Sequence, residues 1–190
     1  MQQRRLTLFL GLAMAAALVI ALVIRILPQI QLIGVGSTAP DFHAVDLRTG
    51  RPASLGDYRG KVLLLNIWAT YCLPCRVEMP AIERLSRRMA GTDFHVLAVS
   101  VDVVDSTEVN AFVKQLGLTF DVLHDRQGVI EQQYQTTGVP ESFVIDRHGT
   151  IVKKVIGAAE WDGPVNDVLI RRLRWFRERC SRPLVARSLD

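Results

Sequence analysis

The longest apolar stretch comes first: residues 6–24 run for 19 positions without a charge. A helix of that length rises about 28 Å, close to the roughly 30 Å hydrocarbon core of a bilayer. Arg4 and Arg5 stand before it and Arg25 after it. Basic residues ahead of a first span favour the cytoplasmic side, which puts the N-terminus inside and everything after the span outside. A cleaved signal peptide would carry a shorter apolar core, about 7–15 residues, and a small-x-small site. Arg25-Ile26-Leu27-Pro28-Gln29 supplies no such site. Residues 1–27 are therefore expected to form a cytoplasmic tip and an uncleaved anchor helix, followed by a connector over 28–37.

Beyond the connector the period changes. Residues 42–47 and 53–55 flank a turn at Arg48-Thr49-Gly50-Arg51 and predict a small β-hairpin. Residues 61–68 form a near-continuous apolar run, the pattern of a strand covered on both faces. From Cys72 the spacing turns helical: Cys75, Glu78, Ile82, Leu85 and Met89 fall on one face, with Gly91 closing the helix. Pro80 lies inside it and removes the hydrogen bond to the Arg76 carbonyl, which predicts a kink. Residues 95–101 predict a second buried strand ending at Asp102. Ser106 or Thr107 is placed to cap a helix over 108–116, stopped by Gly117. Residues 120–123 read as a short strand and 128–134 as a short helix. Residues 141–145 and 150–156 bracket Asp146-Arg147-His148-Gly149 as a second hairpin. Asp162 is placed to cap a last helix with Pro164 in its first turn and an apolar stripe of Val165, Leu169, Leu173 and Phe176. Strands alternating with helices and closing on a hairpin and a helix predict an α/β sandwich with a mixed central sheet over residues 38–180, then a tail over 181–190.

Composition changes this picture little. The hydrophobic share of 49% and the mean hydropathy of +0.19 are inflated by the apolar N-terminal run. Of the +4 formal charge, Arg4, Arg5 and Arg25 account for three; the rest holds 20 basic against 19 acidic residues. The basic balance therefore gives no reason to invoke nucleic acid. The imbalance is local, with six arginines and one glutamate over residues 171–182, read as a solvated helical face. Three cysteines in 190 residues make no disulfide framework.

Cys72-Leu73-Pro74-Cys75 is where chemistry enters. Two thiols at this spacing, on a strand-to-helix turn, can close a disulfide and reopen it. Cys72 would sit at the helix N-terminus, where unpaired N–H groups and the macrodipole stabilise a thiolate, the species that attacks a disulfide sulfur. Cys75 would resolve the mixed disulfide. Structural zinc takes four N or S ligands, and the chain has no second CxxC or His-x-His pair to complete a set. Cys180 reads as a spare thiol. Neither Leu73 nor Pro74 brings a positive charge or a side-chain donor to the thiolate, which favours a reductant over a strong oxidant. Glu78 follows Cys75 by three residues on an otherwise apolar face. A carboxyl there loses hydration, so its pKa should rise, and it becomes a candidate proton acceptor for Cys75.

The segment Asn66-Ile67-Trp68-Ala69-Thr70-Tyr71-Cys72-Leu73-Pro74-Cys75-Arg76-Val77-Glu78-Met79-Pro80 resembles the active-site segment of the membrane-anchored, thioredoxin-like ResA/TlpA family. Ala39-Pro40-Asp41-Phe42, Gly60-Lys61 and Gly138-Val139-Pro140-Glu141-Ser142-Phe143-Val144-Ile145-Asp146 match its other signatures in order. The resemblance implies a thioredoxin-like sandwich with an N-terminal hairpin extension and a redox-active Cys72–Cys75 disulfide. It also implies a cis Val139–Pro140 bond facing the cysteines, with Val139 free to pair with a substrate segment. Trp68 and Tyr71 would flank the site; the family more often has tryptophan at the second of these positions. Asn66 stands where cytosolic thioredoxins hold a buried aspartate, so the acid–base task would move to Glu78. Peroxiredoxins share the Ala-Pro-x-Phe opening but need a threonine three residues before the cysteine, where this chain has Ala69.

By this resemblance the chain is a thiol–disulfide oxidoreductase held in the bacterial inner membrane with its catalytic domain in the periplasm. Its expected substrate is a disulfide-containing protein such as apocytochrome c, during cytochrome c maturation, and its expected electron donor an integral-membrane thiol carrier. No cofactor or metal is expected. The alternative is a reductase or copper-binding chaperone for cytochrome oxidase copper-site assembly, since CxxC with a distant histidine binds Cu(I); none of His43, His95, His124 and His148 is singled out.

Overall fold

The computed structural model describes residues 2–26 and 32–180 and divides into two units, Met1–Leu32 and Ile33–Asp190. The tail expected over 181–190 and residues 28–31 of the connector lie outside the described residues, as do the side chains of Phe176 and Cys180. The first unit is one helix, α1, Gln2–Ile26. By length and composition its Gln3–Arg25 portion suffices to cross a membrane.

The second unit is a seven-stranded sheet in the order β2-β1-β5-β4-β3-β6-β7. The strands are β1 His43–Asp46, β2 Pro52–Ser54, β3 Val62–Trp68, β4 Phe94–Ser100, β5 Asp121–His124, β6 Glu141–Ile145 and β7 Ile151–Ile156. The helices are α2 Leu73–Arg88, α3 Ser106–Gln115, α4 Val129–Gln133 and α5 Pro164–Cys180. β3 pairs parallel with β4 and antiparallel with β6, and β4 pairs parallel with β5. The sheet is therefore mixed, with the β1–β2 hairpin added on β5 and the β6–β7 hairpin on β3.

β3 is apolar at nearly every position because it is covered on both faces: all seven of its residues are buried. Each Leu or Ile so buried contributes about 1.5–3 kcal/mol. A parallel β3–β4 pair needs a crossover, and α2 supplies it, burying Cys75, Glu78, Ile82 and Leu85 as their spacing predicts. The sheet order gathers the last residues of β3, β4 and β5 with the first residues of β6 at one edge. Ile67 pairs with Glu141 there, and Trp68 with Ser100. That edge carries the cysteines.

Three expectations change. The cap of α3 is Asp105, whose carboxylate accepts from Thr107 N–H, and not Ser106 or Thr107. Asp162 does not cap α5; its carboxylate accepts from Arg84 Nε at 2.7 Å and ties α5's approach to α2. The buried stripe of α5 is also rotated: Val165 is 75% exposed, whereas Asn166 and Ile170 are buried and Leu169 and Leu173 partly so. The end of the connector belongs to the folded unit. Ile33 packs on the core, Gly36 N–H donates to Ile151 O, and Ile151 N–H donates to Ser37 O.

Candidate active site

The chain leaves β3 at Trp68, turns through Ala69-Thr70-Tyr71 and enters α2 with Cys72 as its N-cap. Cys72 N–H closes the turn on Ala69 O at 3.2 Å. Cys72 and Cys75 are joined as a disulfide. Cys75 N–H, one of the helix's unpaired first-turn donors, points at Cys72 Sγ at 3.1 Å. Cys72 is 6% exposed and Cys75 not at all, so Cys72 is the sulfur that meets the surface. Pro74 fits the first turn, where a missing N–H costs nothing.

The Val139–Pro140 peptide is cis. It lies beside the cysteines: Val139 O is 3.4 Å from Cys72 Sγ. Tyr71 is exposed on the rim with Leu73, Val77 and Val103. Trp68 is not on that rim. Its indole is wholly buried, stacked on Phe112 with ring centroids 5.5 Å apart, and the Arg76 guanidinium covers the Phe112 ring at 4.8 Å. As the last residue of a strand covered on both faces it points into the core, so it supports the turn from beneath and offers no surface to a substrate.

Glu78 is 2% exposed and holds three donors. Its Oε1 accepts from Asn66 Nδ2 at 2.8 Å; Oε2 accepts from Ala159 N–H at 3.1 Å and from Trp161 Nε1 at 3.2 Å. Burial pushes its pKa up, and the hydrogen bonds from Ala159, Asn66 and Trp161 oppose that shift without cancelling it. Asn66 also donates to Ser142 Oγ at 2.8 Å, linking β3 to the strand that follows Pro140. Among the described residues no three His, Cys, Asp or Glu side chains converge as metal ligands.

A strand-to-helix dithiol facing a cis-proline edge is matched in sequence as well as in shape. The AhpC/TSA family model covers residues 35–154. Thiol-disulfide oxidoreductase ResA of Oceanobacillus iheyensis is 33% identical over 163 residues, covering 83% of this chain and 84% of that protein. The chain is a ResA-type member of the AhpC/TSA family. ResA of Geobacillus thermodenitrificans is 40% identical over 125 residues, 66% of this chain and 71% of that protein. A crystal structure of a Chlorobium tepidum protein, named as a thiol:disulfide interchange protein of DsbE type, superposes with a TM-score of 0.68 at 30% identity. It covers 74% of this chain and 98% of its own. The fold is thioredoxin-like, and this ResA-type chain is a thiol–disulfide oxidoreductase acting on disulfide-containing proteins.

Some partners of the ResA-type site escape sequence reasoning. Ala159 and Trp161 reach Glu78 from more than 80 positions away. Glu141, wholly buried directly after Pro140, pairs with Lys154 Nζ at 2.7 Å while its Oε2 accepts from Thr137 N–H at 3.1 Å, so it pins the loop before the cis bond. Asp102 grips Thr70, two residues ahead of Cys72. The one signal in the sequence for the last of these is its place: an acidic residue directly after an apolar strand, at the edge where the site assembles.

Proposed function

We propose that this chain is a membrane-tethered reductase of periplasmic protein disulfides, with the haem-site cysteine pair of apocytochrome c as its substrate. The observation that carries the reading is the pairing of a surface-facing Cys72, receiving one backbone N–H, with a buried Cys75 and a buried carboxyl three residues further along the same helix. Cys72 thiolate attacks one sulfur of the substrate disulfide, and the other sulfur leaves as a thiolate that takes up a proton. Cys75 gives its proton to Glu78 and attacks Cys72 Sγ, releasing the second substrate thiol. The Cys72–Cys75 disulfide is left behind, and the substrate has gained two electrons and two protons. An integral-membrane dithiol then returns the pair to its reduced form. Val139, beside Cys72 Sγ, offers main-chain pairing to the substrate segment, and Tyr71 gives it an apolar rim.

The reducing direction follows from Leu73 and Pro74. Both are exposed and bring no charge or side-chain donor, so the Cys72 thiolate has the helix N-terminus and little else to stabilise it. A Cys75→Ala variant tests the whole reading. It should accumulate a mixed disulfide through Cys72 in the membrane fraction, and the captured protein should carry a haem-attachment cysteine pair. Capture of copper-site proteins instead would move the substrate, and no capture through Cys72 would remove the mechanism. A Cys72–Cys75 potential near the roughly −120 mV of a strong oxidant would reverse the direction of electron flow.

A further inference from the structure

Thr70 is held from both sides. Its N–H lies 2.9 Å from Asp102 Oδ2 and 3.1 Å from Oδ1, and its hydroxyl donates to Oδ1 at 2.6 Å. Its carbonyl accepts from Arg76 Nε at 3.1 Å. Asp102 is 1% exposed, and its own place is fixed by three further bonds. Ser100 hydroxyl donates to Oδ2 at 2.7 Å, Asp102 N–H donates to Ser100 Oγ at 3.3 Å, and Asp102 O lies 2.8 Å from His124 Nε2. A carbonyl only accepts, so Nε2 carries a ring proton, and Nδ1 lies 2.8 Å from Ser106 Oγ. Among the described residues Asp102 has no ion-pair partner. Every donor to its carboxylate is neutral, and two of the three come from Thr70. A buried carboxylate held this way acts as a hydrogen-bond hub whose geometry is set by β4 and β5 and delivered to the turn before Cys72.

We propose that Asp102 is a positioning residue for the thiol chemistry: through Thr70 it fixes the turn that hands Cys72 from β3 to the first turn of α2. The inference rests on Cys72 being the attacking thiol. Tyr71, the residue between, is exposed, so Thr70 is the last well-held point before the sulfur. A shift there would move Sγ relative to both Val139 O and Cys75 N–H, the two groups it now faces. The hub needs oxygen atoms facing Thr70 more than it needs charge. In Asp102→Asn, Oδ1 keeps the Thr70 hydroxyl and the 3.1 Å arm of its N–H, while Nδ2 gives up the 2.9 Å arm and faces Ser100 Oγ, which can accept. Asp102→Ala removes the grip entirely.

The test compares three full-length proteins in detergent: wild type, Asp102→Ala and Asp102→Asn. The readouts are insulin-disulfide reduction and the rate of Cys72 alkylation across pH in the reduced protein. Asp102→Ala should slow both by about tenfold or more, as a misplaced reacting atom does, and should displace the alkylation pH profile. Asp102→Asn should stay within about threefold of wild type. An Ala variant whose rates and pH profile overlay wild type overturns the proposal. An Asn variant as slow as the Ala variant overturns it too, because the Thr70 hydroxyl bond that Oδ1 keeps would then hold nothing. If Asp102→Ala lacks a native circular-dichroism spectrum, Thr70→Val takes its place: it deletes the hydroxyl bond alone and should slow alkylation by about threefold, an unchanged rate again overturning the proposal. Wild type that fails to reduce insulin marks a failure of the functional reading instead, and alkylation still reports on Asp102.

Discussion

A carboxyl group buried next to a thiol is useful as a proton acceptor only while burial outweighs the hydrogen bonds that favour its ionised form. At Glu78 burial wins, so the group holds its proton to a higher pH than the ordinary 4.5. The sign of its effect on stability follows. At low pH the carboxyl is protonated in both folded and unfolded chains; as pH rises the unfolded chain ionises first, and stability falls until the folded pKa has been passed. Glu78→Gln removes that loss. Urea midpoints of wild type and variant should lie close together near pH 4 and diverge towards neutral pH, with the variant the more stable. Asn66 can turn its amide to meet the new one, since its Oδ1 has no partner among the described residues. The catalytic cost runs the other way: without a proton acceptor, resolution by Cys75 should slow on the order of 10²-fold and lose the pH dependence seen in wild type. Equal rates for the two proteins would remove Glu78 from the mechanism.

The first turn of α2 concentrates its influence on one sulfur, and the residues between the cysteines set how much more it can add. Pro74→His places a cation beside a thiolate that now has one backbone donor. Thiolate stabilisation favours the reduced form, so the Cys72–Cys75 potential should rise by about 30 mV or more, one order of magnitude in the exchange equilibrium. An unchanged potential in a glutathione titration would mean that Leu73-Pro74 does not set the direction of electron flow. Elements of this kind were readable because their signals are local. The unbroken apolar run of β3 and the three- and four-residue spacing of Cys75, Glu78, Ile82 and Leu85 need no knowledge of what packs against them. What could not be read is whatever a distant element decides. The sequence of α5 permits two apolar stripes; the choice is made by Lys153, whose Nζ donates to Asn166 Oδ1 at 2.6 Å, and by Glu160 O, which accepts from Asn166 Nδ2. With its polar atoms paired, Asn166 goes inside and Val165 turns out. Trp68 was misplaced for the same reason: an aromatic ahead of a CxxC reads equally well as rim or floor until Phe112 and Arg76 close over it. The Cys72–Cys75 disulfide, the cis Val139–Pro140 bond and the burial of Glu78 were legible; the donors that set the state of Glu78 were not.

At the scale of the whole chain, the two units make separable demands. The core cluster draws its residues from Ile33 onward, and Ile33 itself is tied down, its N–H donating to Gln135 Oε1 at 3.1 Å and its carbonyl accepting from Lys154 Nζ at 3.4 Å. A chain beginning at Leu32 should therefore fold, stay in solution without detergent and reduce insulin at the rate of the full-length protein, because among the described residues every group that builds the active site lies after that point. Orientation is a further matter, and under the proposed membrane tethering it would be set by charge: Arg4 and Arg5 precede an uncharged run, and basic flanks favour the cytoplasmic side. In spheroplasts treated with a reductant, a membrane-impermeant maleimide should label Cys72, whereas a cysteine placed at Gln3 should react only after the membrane is opened. Converting Arg4 and Arg5 to glutamate weakens the retention signal and should shift a measurable share of Cys72 to the protected side. Labelling of the Gln3 cysteine in sealed spheroplasts, with Cys72 protected, would place the catalytic unit in the cytoplasm and with it exclude a periplasmic substrate.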